Sequence, residues 1–169
     1  MEKIQRSGGQ LLLLVLSLVG AGIAVYLTAV HYENAPLICS THGLIDCSRV
    51  LASPYSVVPG TSVPITVPGL AWCAVSAILA IVGLRPLRPQ VRYRIQQAQS
   101  AWSLLGMLTV LYLVYVELVL LHTICAWCTG LHVVILIMFL TTIVLVQWSE
   151  DESEVSSDEP APERVGTHR

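Results

Sequence analysis

Residues 124–148 read ICAWCTGLHVVILIMFLTTIVLVQW, 25 residues without one Asp, Glu, Lys or Arg. A helix needs about 20 mostly apolar residues to cross the hydrocarbon core of a membrane. In lipid each backbone donor must be satisfied within its own segment, so such a run reads as a spanning helix. Working outward, three more runs share this character: 11–30 (LLLLVLSLVGAGIAVYLTAV), 68–84, and 98–121, the last broken only by Glu117. The chain has 169 residues, 54% of them hydrophobic and 12% charged, where soluble domains average about 25% charged. A soluble core of this size cannot bury four such stretches. A cytosolic enzyme is excluded, and no nucleic-acid partner is expected. The expected fold is an all-α membrane protein: four transmembrane helices at about 11–30, 68–84, 98–121 and 124–148, with a long extracytoplasmic loop, 31–67.

Basic residues near the span ends set the orientation. Lys3 and Arg6 precede the first span, Arg85, Arg88, Arg92 and Arg94 lie between the second and third, and Arg164 and Arg169 end the chain; Arg49 alone is on the other side. Both termini, 1–10 and 149–169, are therefore expected in the cytoplasm of a multi-pass plasma-membrane protein, with 31–67 outside. The first apolar run exceeds the roughly 7–15 residues of a signal core and reads as a retained anchor. The acidic segment 149–169, with Pro160 and Pro162, is expected to be disordered.

Four of the five cysteines then fall on the outer side, where disulfides persist. Cys39 and Cys47 lie in the long loop with seven residues between them, and Cys125 and Cys128 form CAWC at the head of the last helix. Residues three apart at the first turn share a helix face. The unpaired N–H groups there favour a thiolate. Cys125 is expected nearer the aqueous edge and Cys128 one turn deeper, so one sulfur meets a protein thiol and the other a lipid-soluble redox partner. A static disulfide, or zinc bound with His31, His42, His122 or His132, are the alternatives; structural zinc usually pairs two close-spaced ligand sets, and a second set is lacking, so no metal is expected. Cys73 is left over as an inert buried thiol.

Three stretches together resemble the vitamin K epoxide reductase family in its bacterial, disulfide-forming branch. They are CSRVLASPY at 47–55, a loop cysteine followed six residues on by Ser53; VPGL at 67–70, where the family begins its second helix; and ICAWC at 124–128. The resemblance runs from about residue 11 to 148, and its order, loop pair first and membrane pair last, differs from that of DsbB-like proteins. It implies a relay. A separate thioredoxin-like (DsbA-like) protein is oxidised by a Cys39–Cys47 disulfide, Cys47 attacks Cys125, and Cys128 is released against a quinone of the menaquinone, ubiquinone or vitamin K type. The loop is expected to move toward Cys125, with Gly43 and Gly60 giving it freedom. The asparagine that vertebrate members carry shortly before the second helix is missing from 61–68, and His132 stands where they have tyrosine. Quinone reduction is therefore the expectation. A vitamin K epoxide reductase proper and a non-catalytic tetraspan protein binding a metal or a protein are the alternatives.

Ser53, His132 and Trp127 are the candidate quinone contacts. Ser53 alternatively caps the turn before Pro54, and His132 is alternatively a packed core residue. Trp72, Trp127 and Trp148 fit the aromatic belt at span ends. Glu117, about two turns from the outer end, is expected to reach the interface. The uncharged, proline-rich stretch 50–68 is expected to rest on the membrane over the pocket.

Overall fold

The computed structural model describes residues 2–33, 39 and 45–157, and side chains for 7–33, 39, 45–88 and 90–147. Four long helices carry it: α1 (Glu2–Glu33), α3 (Thr66–Gly83), α4 (Pro89–Tyr115) and α5 (Ala126–Ser157). A five-residue helix, α2 (Cys47–Leu51), and a 3₁₀ turn at Pro54–Ser56 lie in the connection between α1 and α3. α1 packs on α3 and α5, and α4 on α5 and α3. Four stretches are long and apolar enough to cross a membrane: Ser7–Glu33, Thr66–Gly83, Gln90–Leu120 and Ala126–Gln147. Among the described residues there are two isolated bridges and no strand.

The side-chain distribution is that of a molecule dissolved in lipid. Leu11, Leu18 and Val25 on α1, Ile78 on α3, Leu108 on α4 and Leu140 on α5 are all exposed, while Gln10, Ser17, Ser76, Gln99, His132 and Thr142 are buried. In water that exposed surface would be a large apolar patch; against acyl chains it is simply solvated. Polar groups inside must find partners within the bundle. Gln10 and Gln99 exchange two amide hydrogen bonds of 3.1 and 2.9 Å, tying α1 to α4. Ser17, Ser76 and Thr142 donate to the carbonyl one turn back in their own helices. Near the loop end, the Thr28 and Thr66 hydroxyls meet at 2.7 Å and join α1 to the start of α3.

Several ends differ from the sequence reading. α4 begins at Pro89, nine residues before the expected 98, because a proline in the first helical turn is already set to helical φ and the Arg–Gln stretch after it propagates well. The segment bearing Arg92 and Arg94 is therefore helix, not loop. α5 continues to Ser157, past the expected end at 148, so the acidic segment starts as helix; residues 158–169 lie outside the described residues, as do Gly43, His42 and the side chain of Trp148. α4 ends in an unexpected π turn, Val116–Leu120.

Candidate active site

The short α2 begins with a cap that its sequence encodes. The Asp46 carboxylate accepts the Arg49 backbone N–H at 3.0 Å and the Ser48 hydroxyl at 2.6 Å, which satisfies a free donor of the first turn. The Ser48 hydroxyl, then the Arg49 N–H, hold the Asp46 carboxyl below the usual carboxylate value. This cap fixes Cys47 as the first helical residue, fully buried and disulfide-bonded to Cys39, with a Cα–Cα distance of 6.3 Å.

The backbone of this segment is already docked on the membrane pair. Asp46 N–H donates to the Ile124 carbonyl at 3.1 Å, within a parallel bridge between Ile45 and Ile124. Cys47 and Cys125 each follow a residue of that hydrogen bond directly, and both are fully buried. The Cys47 end of the loop is thus already held against the head of α5.

Cys125 and Cys128 are free thiols with different surroundings. The Cys128 N–H donates to the Cys125 sulfur at 3.3 Å, the helix-start geometry that favours negative charge on that sulfur. Cys128 is only partly buried and lines a cavity of about 400 Å³ between α3, α4 and α5. Pro68, Trp72, Gly106, Leu131 and His132 contribute to its walls. Apolar pockets of this size hold small organic ligands. A smaller chamber of about 60 Å³ adjoins it, sharing Leu27, Ile65, Thr66, Leu113, Cys128 and His132. Cys125 lines neither. Val50, Leu51, Ser53, Tyr55, Ser56 and Pro64 wall the smaller chamber, so the uncharged outer stretch does cover this site.

The vitamin K epoxide reductase family description matches residues 11–143, most of the chain and part of every spanning helix. The chain belongs to the vitamin K epoxide reductase family. Membership makes it a membrane thiol oxidoreductase, of a family generally linked to quinones. No curated protein matches it.

Within this vitamin K epoxide reductase fold the remaining candidates separate. His132 is 7% exposed and lines both chambers beside Cys128. Ser53 faces the smaller chamber; its hydroxyl donates back to the Val50 carbonyl at 2.7 Å and makes no cap bond to the following 3₁₀ turn. Trp127 lines neither chamber. Its ring lies 4.9 Å from that of Tyr26, anchoring the head of α5 to α1. Trp72 and Trp102 each donate their indole N–H to the other's carbonyl, at 3.1 and 3.2 Å, and clamp α3 to α4 along the larger chamber. Gly106 makes room for it, since a Cβ there would stand 2.4 Å from the Trp72 ring. Cys73 is buried against Gly20.

Glu117 does not reach the interface. It is 6% exposed and lines the smaller chamber with Cys128 and His132. The π turn accounts for this: Leu121 N–H closes on the Val116 carbonyl, and His122 then takes φ of 50°. Left-handed backbone ends a helix, and Thr123 N–H folds back to the Glu117 carbonyl at 3.0 Å. The reversal places the Cys125 N–H on the Glu117 carboxylate. Among the described residues, no three metal-binding side chains converge.

Proposed function

We propose that the protein is a thiol–quinone oxidoreductase that reoxidises a separate thioredoxin-like protein and so supports disulfide formation outside the cytoplasm. The observation that carries this reading is the unequal placement of the CAWC pair. Cys125 is sealed beside the loop cysteine through the Asp46–Ile124 bond, while Cys128 opens on an apolar chamber between the spans. Electrons entering at one sulfur and leaving at the other need that arrangement.

The steps are thiolate attacks on disulfide sulfur, which require access and alignment. A thiol of the partner opens the Cys39–Cys47 disulfide at Cys39, the half-buried member. Cys47, released against Cys125, attacks the Cys125–Cys128 disulfide and frees Cys128 into the chamber. The partner's second thiol releases Cys39, which re-forms the Cys39–Cys47 bond and frees Cys125. The reduced CAWC pair closes again as its two electrons pass to the quinone. The quinone supplies a two-electron, two-proton sink. Leu105, exposed on α4, and Val75, exposed on α3, rim the larger chamber and give it a lipid-side entrance, while His132 and Ser53 supply hydrogen-bonding atoms to a carbonyl oxygen. Eight of the nine Lys and Arg residues lie in the termini and the α3–α4 connection, a charge asymmetry that supports reading Cys39 as facing outward.

The test is turnover by the purified protein in detergent, given reduced thioredoxin-like partner and a short-chain quinone. Quinol is expected to accumulate with partner disulfide in equal amounts, and Cys128→Ala is expected to stop it. Normal turnover by Cys128→Ala contradicts the relay. Stoichiometric zinc together with no quinone-dependent thiol oxidation would support a metal-binding tetraspan protein instead.

A further inference from the structure

Apart from Glu33, the last residue of the first span, Glu117 is the one acidic residue within the four spans, and nothing in the relay above uses it. Ionisable groups at such depth are costly and are retained for function. Its surroundings are built. The carboxyl is buried in a π turn, a local helix widening found often at functional sites, and it accepts the Cys125 N–H. The Cys128 N–H donates to the Cys125 sulfur at 3.3 Å, so the carboxyl and the CAWC pair share the backbone donors at the head of α5. The smaller chamber brings it together with Cys128 and His132 on α5, His31 on α1 and Tyr55 on the outer segment. A thiolate and a carboxylate buried side by side repel, so the cluster is best occupied by a single negative charge with the remaining protons shared among its members.

We propose that Glu117 stores a proton beside the reduced CAWC pair and delivers it to the quinone as that pair closes to a disulfide. The inference rests on the thiol–quinone reading and adds the proton path to it. In the reduced state the cluster holds a Cys125 thiolate, a Cys128 thiol and the Glu117 acid. Oxidation forms the Cys125–Cys128 bond and passes two electrons to the quinone. One proton leaves the Cys128 thiol and one leaves Glu117, giving quinol, and the single negative charge moves from Cys125 to the Glu117 carboxylate. When an incoming dithiol reduces the pair, its two protons restore the Cys128 thiol and the Glu117 acid. Glu117 thus contributes to the reaction at a reacting atom, while His31, Tyr55 and His132 share the chamber as the other titratable groups whose charge affects it.

The test uses the full chain in detergent and two readouts. First, without any quinone, the dithiol-reduced protein is oxidised with ferricyanide and an infrared difference spectrum is taken. A protonated-carboxyl band is expected to vanish on oxidation, and to be missing altogether from Glu117→Gln, which keeps the size and the acceptor for the Cys125 N–H. Second, single-turnover quinol formation with a short-chain benzoquinone is expected to fall by about 100-fold in Glu117→Gln, the scale of a lost proton donor. Glu117→Asp, which keeps the carboxyl, should retain most of the rate. The proposal is overturned by a carboxyl band that is the same in both redox states, by quinol formation in Glu117→Gln at the wild-type rate, or by an Asp variant as slow as Gln. A wild-type protein that shows the band change yet reduces no quinone overturns the thiol–quinone reading and leaves proton storage standing.

Discussion

Replacing Gly106 by alanine puts the larger chamber to a direct test. The added Cβ would stand 2.4 Å from Trp72 Cζ2, 2.7 Å from Cε2 and 3.0 Å from Nε1, where carbon atoms prefer about 3.5–4.0 Å. The indole cannot slide aside freely, because its N–H is bonded to the Trp102 carbonyl and its own carbonyl receives the Trp102 N–H. Overpacking of this kind costs about 1–3 kcal/mol. Losing one hydrogen bond adds about 1 kcal/mol, and alanine's better helix propensity returns about 0.5–1 kcal/mol. The net loss is therefore about 1–3.5 kcal/mol, and the displaced ring intrudes on the chamber. Thermal unfolding in detergent should fall by several degrees, and the KM for quinone should rise more than kcat falls. Adding Trp72→Phe removes the indole atoms in conflict, so the double variant should recover part of the lost stability. A Gly106→Ala protein as stable as wild type with an unchanged KM would refute both the tight clamp and the placement of the quinone.

Other consequences follow from single contacts. Asp46→Ala removes the cap of α2 and should speed chemical reduction of the Cys39–Cys47 disulfide, read by alkylation of the released thiols. The Asp46 carboxyl is held below its ordinary value, so its stabilising effect is present above the usual carboxylate range and is lost as pH falls through the lowered value; wild-type protein should approach the Asp46→Ala rate in that acid range. His132→Leu should slow quinone reduction about five- to tenfold, the worth of one hydrogen bond near 1 kcal/mol, without altering thiol exchange between the two cysteine pairs. Trp127→Ala should lower thermal stability by loosening α5 from α1, with little effect on quinone KM.

The spans were legible because lipid imposes one requirement on long uncharged runs, and CAWC because its spacing and place on a helix carry chemistry within a few residues. Helix ends were less so. The Arg-bearing turn before 98 looks like a loop when the limit sought is that of the hydrocarbon, yet Pro89 starts a helix in water as readily as in lipid. Glu117 was seen but misplaced: two turns from a span end predicts exposure on a regular helix, and only the π turn with the left-handed His122 turns it inward. Asp46 had a local signal, an acid directly before the helix-starting Cys47, but its bond to Ile124 joins residues 78 positions apart. Trp127, Trp72 and Gly106 depend on which helix faces which, and no spacing within one segment contains that. Ser53 was named by resemblance and His132 by its place four residues after Cys128 on one helix face, and their positions on the chamber walls come from the packing of the outer stretch over α5.

The central claim is that electrons pass from the loop pair to the membrane pair through Cys47 and Cys125. The most direct measurement is mass spectrometry of Cys39→Ala/Cys128→Ala protein isolated under oxidising conditions. The account predicts a Cys47–Cys125 disulfide as the main species, since the Asp46–Ile124 bond already holds the two segments together. Free thiols at both positions, in a protein that still folds, would contradict it.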